Sequence, residues 1–223
     1  MLDDLYNKKI ECPVCMSQFE ATKVRTKAIK VASRDADFCV YYEGTNPMFY
    51  DIQVCENCGY AASSDKFEQL GDSDRKKIKE NISPRWNKRS FAGERNIDAA
   101  IETFKLALLN LHVRNAKNSE KARICLRIAW MYRLKKDEKE KEFLQFTLNC
   151  YKEIYEKERL PADKLDEVTC MYMIAELNRR VGNFDESVKW FSRMISSPEA
   201  RKNASLLEKA RDQFQLAKDQ NTD

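Results

Sequence analysis

Cys12-Pro13-Val14-Cys15 and Cys55-Glu56-Asn57-Cys58 repeat one pattern, two cysteines separated by two residues. That spacing lets the backbone fold into a tight knuckle with both sulfurs aimed at one ion, and two knuckles complete a tetrahedron. Pro13 stiffens the first loop, and Gly59 suits the positive φ needed on leaving the second, whereas Met16 occupies the equivalent place after the first. The 39 residues between Cys15 and Cys55 make a long loop. Closing it costs roughly 3 kcal/mol plus a constant, against about 10–16 kcal/mol for structural zinc in small peptides. One structural zinc ion held by Cys12, Cys15, Cys55 and Cys58 is the expectation.

Rival uses of the thiols fit less well. Redox dithiols sit where a strand feeds a helix in a βαβ unit, and here each pair is flanked by strand-like and turn-like sequence. Eight cysteines in 223 residues, with no secretory signal, are far from a disulfide scaffold. Cys39 could replace a ligand or be a reactive thiol; its neighbours Phe38 and Val40 favour a buried strand position.

Outward from the knuckles, β-forming runs over Phe19–Thr26, Asp37–Tyr42 and Phe49–Val54 read as three short strands, with Gly44-Thr45-Asn46-Pro47 as a turn. So small a sheet needs a metal for its core. Residues 65–93 read as a connector with short helices, Ser73 capping the first. From Asn96 the period becomes helical: Ala100, Thr103, Phe104, Ala107, Leu108 and Leu111 share one face. Further helices are expected over Ser119–Leu134, over Glu138–Arg159 behind an Asp137/Glu140 capping box, and over Lys164–Val181 ending at Gly182. Two more follow, Phe184–Ser196 capped by Asn183/Glu186 and a last one opened by Ser197-Pro198.

Helix pairs with short turns raise the question of repeats. Ala175, Gly182-Asn183-Phe184, Phe191, Met194 and Pro198 follow the tetratricopeptide pattern, Ala100–Ala107 looks like the second helix of another unit, and Ala129, Tyr132 and Phe146 supply a degenerate third. The fold class expected is mainly α, tetratricopeptide-like antiparallel helix pairs preceded by a small zinc-ribbon-like β module. Its divisions are 1–64 for the module, 65–93 for the connector and 94–223 for the helical domain.

The motifs CPVC, Arg34-Asp35-Ala36-Asp37-Phe38, Tyr42–Pro47, Tyr50-Asp51 and Val54–Ala61, followed by repeat-like helices, resemble an uncharacterised bacterial family catalogued as domain of unknown function 2225. The resemblance implies a cytoplasmic bacterial protein with a zinc-ribbon-like head and a tetratricopeptide-like body, and it brings no known activity. Asp35, Asp37, Asn46 and Asp51 match the family motifs, with turn and strand-end hydrogen bonding as their expected role.

Composition narrows the function classes. Charged residues make up 34% of the chain and net charge is only +4, so there is no global basic bias of a dedicated nucleic-acid binder. No apolar run long enough to span a membrane occurs, and a cytoplasmic location is expected. The single histidine, His112, falls near a helix end, so no Cys-His or Ser-His-Asp set can be assembled, and a four-thiolate site leaves no open coordination position. The expectation is a non-catalytic scaffold or adaptor binding a protein or peptide through its helical surface. Arg123, Trp130, Arg133, Tyr172, Glu176 and Arg179 are expected to line that surface, where arginines suit an acidic segment. Two alternatives stand beside it. One is nucleic-acid binding by the basic stretches 23–34 and 75–89, with Lys23, Arg25 and Lys27 on one face of the first strand. The other is a zinc-thiolate redox sensor.

Overall fold

The computed structural model describes residues 4–221, which divide into two compact units. One comprises residues up to Arg34 together with Val40–Ala116; the other comprises Asp35–Cys39 together with the chain from Lys117 onward. Five residues of the N-terminal half thus belong to the helical unit.

The first unit holds three antiparallel two-stranded ribbons: β1 (Leu5–Glu11) with β2 (Gln18–Val24), β3 (Lys30–Arg34) with β4 (Val40–Glu43), and β5 (Ile52–Val54) with β6 (Ala61–Ser63). Six strands therefore stand where three were expected. β1, with the sequence LYNKKIE, buries only Ile10, so its exposed lysines hide the strand from a hydrophobic count. Asp37 and Phe38 lie in the turn between β3 and β4, and Phe49 lies in a 3-10 turn, Pro47–Tyr50, capped by the Asn46 side chain accepting from the Met48 N–H.

The expected connector supplies much of this unit's core. Phe67 packs against Tyr60 and Phe19 with ring centroids 4.7 and 5.8 Å apart, and its carbonyl accepts from the Tyr60 hydroxyl at 3.0 Å. Helix α1 (Asp72–Asn81) starts after Gly71 rather than on a Ser73 cap, and it buries Ile78. Arg95 is buried and donates to the carbonyls of Phe49 and Ile52. Helix α2 (Ile97–Arg114) lies against β5, β6 and α1, and its Asn110 amide donates to the Gly59 carbonyl at 3.3 Å. The first unit consequently runs to Ala116 rather than ending near the expected boundary at 94.

The second unit contains α3 (Asn118–Lys135), α4 (Lys139–Lys157), α5 (Glu167–Val181), α6 (Phe184–Ser196) and α7 (Ala204–Gln220), each packed on the next in chain order. Fully buried Ala129 and Ala175 mark where helices approach closely, and Tyr172 meets Phe191 edge-on at 5.8 Å. Phe146 departs from the expected pattern. The buried stripe of α4 is Leu144, Thr147, Leu148, Tyr151 and Ile154, so Phe146 falls on the outer face and is 49% exposed.

Helix starts and stops have clear local causes. Asn96, Asp166 and Asn203 cap α2, α5 and α7 through their side chains. The two expected capping boxes do not form: Glu140 turns instead to Arg133, and Glu186 to Lys189. α2, α3 and α5 all stop by one device, a residue in the left-handed region whose N–H returns to the last turn: Asn115, Lys136 and Gly182. Lys136 is exposed at φ 56°, a conformation costing an L-residue about 1–2 kcal/mol. Replacing it, Lys136→Gly, is expected to raise stability by about 0.5–1 kcal/mol in urea unfolding, the strain relief exceeding the added unfolded-state entropy.

Candidate functional site

Each cysteine pair forms the tip of a two-stranded ribbon within the first unit. The first knuckle joins β1 to β2 and the second joins β5 to β6. Their backbones repeat bond for bond. Cys12 N–H donates to the Ser17 carbonyl at 2.9 Å, as Cys55 N–H does to Tyr60 at 2.8 Å; Met16 N–H returns to Cys12 and Gly59 N–H to Cys55, both at 2.9 Å. Both exits need positive φ, 60° at Met16 and 76° at Gly59. Met16 tolerates its strained backbone with its side chain largely in solvent.

The four sulfurs lie within 4.8 Å of one another, with Cys12 to Cys58 and Cys15 to Cys55 both at 3.6 Å. A disulfide requires about 2.05 Å. A tetrahedral ion with metal–sulfur bonds of about 2.3 Å, the zinc value, places its ligands about 3.8 Å apart. The donor set therefore fits a metal ion, and among the described residues this is the group of cysteine, histidine and carboxylate side chains arranged to hold one. Cys12, Cys55 and Cys58 are buried, and Cys15 is half-buried with its sulfur 3.1 Å from the Ser17 hydroxyl. Proton sharing within the cluster polarises it. Hydrogen bonding from Cys12 and Cys58, helped by the N–H groups of Asn57 and Cys58, holds Cys55 far below the usual thiol range; the bond to Cys55, with burial, pushes Cys12 up against the opposing bond to Cys58, and the bonds to Cys12 and Cys55 push Cys58 up.

Trp86 covers the second knuckle. Its Nε1 donates to the Glu56 carbonyl at 2.7 Å, and its ring presses on Gly59, where a Cβ would come within 2.6 Å of two ring carbons. Gly59 is thus required twice, for its φ and for that approach. The spacing of the cysteines gave no indication of this tryptophan, 28 residues beyond the second pair.

The six side chains expected to line an open partner surface are instead engaged within the second unit. Arg133 grips the Asp35–Cys39 turn: Nη1 donates to Asp35 at 2.7 Å and to Asp37 at 3.0 Å, and Nη2 to Asp37 at 2.6 Å, while Nε holds Glu140 at 2.7 Å. Trp130 Nε1 donates to Asp37 at 3.1 Å, and the Tyr172 hydroxyl donates to the Ala36 carbonyl at 2.8 Å. Glu176 is fully buried and accepts from Arg179 and Arg180. Arg179 also reaches Gln220, and Arg123 lies 3.5 Å from Asp163. The acidic segment that Arg133 holds comes from this chain. Arg180, one helical turn after Glu176, and Glu140, expected from the sequence only as a capping residue, complete the cluster.

Asp37 has no exposure, and burial alone would raise its pKa. The Arg133 hydrogen bonds and the charges of Arg180 and Arg133 outweigh that and hold it below the ordinary carboxylate range. Cys39 is also fully buried, and burial pushes its thiol up to about 12.

The basic residues are dispersed. β2 ends at Val24, so Lys23 is its only member of the expected stripe; Arg25 stacks over the Tyr6 ring at 5.3 Å and Lys27 sits in the 3-10 turn Thr26–Ala28. Arg75, Lys76, Lys77 and Arg89 pair with Asp72, Glu80, Asp74 and Glu102. His112 is an exposed residue in the last turn of α2. Among the described residues no helix is long and apolar enough to cross a membrane.

Fold and site together define a mainly helical protein with small antiparallel β-ribbons that bring four cysteines to one point. The chain belongs to the family described as uncharacterised protein conserved in bacteria, DUF2225, whose model matches residues 5–217. No curated protein and no solved structure matches it.

Three outcomes follow from this geometry. Elemental analysis of protein prepared without chelator is expected to give about one metal ion per chain, and Cys58→Ser to lose most of it together with the cooperative unfolding of the first unit. Gly59→Ala, combining backbone strain with the Trp86 overlap, is expected to cost about 2–4 kcal/mol in urea unfolding. Because the folded-state pKa of Asp37 is depressed, its contribution is present above the unfolded value of about 4 and is lost as pH falls through the folded value. Urea midpoints followed by far-ultraviolet circular dichroism from pH 6 to 3 should therefore drop, and Asp37→Asn should flatten that window.

Proposed function

We propose that the protein is a non-catalytic, zinc-binding scaffold of the cytoplasm that holds a protein or peptide partner on its helical unit. The observation that carries this reading is the face of α3 and α5, where a five-residue acidic turn is held by paired arginine hydrogen bonds, an indole N–H and a hydroxyl bond to its backbone. Those are the contacts by which arginine-rich surfaces hold acidic peptides. Zinc is supported by four thiolates at tetrahedral spacing, with tetrahedral sulfur sites being the domain of zinc and iron. A site with four protein ligands has no position for substrate or water, which supports a structural role. Tying two ribbons at their tips is the work such an ion would do.

Affinity purification from a native producer with the metal intact, followed by identification of bound protein and bound RNA, tests this reading. A stoichiometric protein partner that survives ribonuclease and moderate salt, with zinc rather than iron in the protein, is the expected result. A second reading, nucleic-acid binding, is favoured by Arg89, whose guanidinium stacks over Trp86 and Phe91 at 5.0 and 5.4 Å beside exposed Arg85 and Lys88. It requires RNA as the main bound species and an affinity that falls steeply with salt, weakened by neutralising Lys23, Arg25 and Lys27. The redox alternative requires reversible zinc release with disulfide formation under mild oxidant.

A further inference from the structure

Residues 35–39 have the character of a bound ligand rather than of an ordinary connection. They are counted with the helical unit, while both flanking strands, β3 and β4, are counted with the other. Those strands form a ribbon whose only sheet partner is itself, and β3 is exposed along its whole length. The turn is closed by Phe38 N–H on the Asp35 carbonyl and Asp35 N–H on Cys39, with Phe38 at φ 69°. A bulky residue seldom occupies that region, so the turn keeps its shape because its surroundings over-determine it.

The receptor side is equally specific. Without the turn, α3, α4 and α5 would bring together Arg133, Arg179 and Arg180 against Glu140 and Glu176, one more cation than carboxylates. The turn supplies two carboxylates, and both arginines flanking it take part: Arg133 directly, and Arg180 at 3.7 Å from Asp35 and 3.5 Å from Asp37. The Phe38 ring packs against Tyr172 with centroids 5.4 Å apart and planes tilted by 38°, and the Lys209 ammonium lies 5.1 Å from the Phe38 centroid. The Tyr172 hydroxyl reads a backbone group, the Ala36 carbonyl, which any residue at that position offers. What is recognised is an acidic residue, any residue, a second acidic residue and an aromatic one, in a tight turn.

We propose that this pocket is a recognition site for an Asp-x-Asp-Phe turn, that residues 35–39 fill it in cis, and that a partner protein binds by presenting the same kind of turn in their place. The proposal rests on the scaffold reading and adds to it the class of partner. An occupant tethered to the same chain competes at high effective concentration, so a partner's turn binds the intact protein more weakly than its intrinsic affinity for the vacant pocket.

The probe is a synthetic peptide with the sequence of residues 33–41, carrying serine at the Cys39 position and a fluorescent label. Its binding is measured by anisotropy to the full chain and to the full chain bearing Asp35→Ala, Asp37→Ala and Phe38→Ala. The triple variant is expected to bind at least about ten-fold more tightly than the unaltered protein, the tethered competitor having been removed. A peptide with asparagine in place of both aspartates should not bind. A folded triple variant that ignores the peptide, or binds both peptides alike, overturns the proposal. If the triple variant does not fold, Cys39 of the unaltered protein is the reporter: its buried thiol should be alkylated by iodoacetamide at least about ten-fold faster with millimolar peptide present, as the turn leaves. An unchanged rate in that case overturns the proposal. A co-purifying partner that the peptide fails to displace also overturns it, while leaving the broader scaffold reading in place.

Discussion

Four sulfurs within 4.8 Å of one another cannot all be ionised unless positive charge lies among them. In the absence of a cation the cluster must share protons, with one thiolate paid attention to by neighbouring S–H and N–H groups; with a divalent ion all four can ionise at once. The first unit is arranged around that constraint. β1–β2 and β5–β6 are each too short to stand alone, and what they share is a tip where backbone turns twice into the same knuckle. The surrounding side chains, Ile10, Val14, Phe19, Tyr60, Phe67 and Ile78, form one small apolar cluster that includes three of the four cysteines. Cysteine cluster and apolar core are therefore a single structural element, and Trp86 seals it from the side of the connector.

In the second unit buried carboxylates pose a similar problem. Asp37 and Glu176 are carboxylates with no exposure, and a buried charge is tolerable only when paired and hydrogen-bonded. Guanidinium groups answer both needs, because each offers several donors in a fixed fork. Arg133 spends one edge on the turn and its remaining donor on Glu140; Arg180 binds Glu176 while facing both aspartates. Such clusters add little net stability compared with an apolar core of the same volume. Their value lies in discrimination, since a misplaced neighbour leaves a charge buried and unmatched.

The knuckles were legible because their determinants are local: cysteine spacing and a glycine at the exit. Helices α3 to α7 were legible for the same reason, as period and Gly182 operate over a few residues. What escaped was long-range. Nothing local distinguishes Glu140 as an arginine partner from Glu140 as a capping residue, and the choice is made by Arg133 seven residues away with two aspartates nearly a hundred residues upstream. β1 was missed because a strand with one buried residue in seven has no apolar period to detect. The place of α2 was missed because its apolar face, which fits a helix repeat equally well, is satisfied by β5 and β6.

At the arginine face, chemistry and occupancy are separate questions. Residue types on helix faces report what a surface is complementary to, and Arg133, Trp130 and Tyr172 are complementary to an acidic, hydrogen-bonding segment. They do not report whether that segment arrives from another molecule or from the same chain, because the contacts are identical in the two cases. The difference lies in concentration alone: a tethered turn meets its pocket at an effective concentration that a free partner must exceed in affinity or abundance. The motif Arg34-Asp35-Ala36-Asp37-Phe38 therefore supplies two carboxylates to the helical unit from the other half of the sequence. On the proposed exchange, a partner must outcompete that tethered turn in affinity or abundance, which is a filter on specificity that an open groove of the same composition would lack.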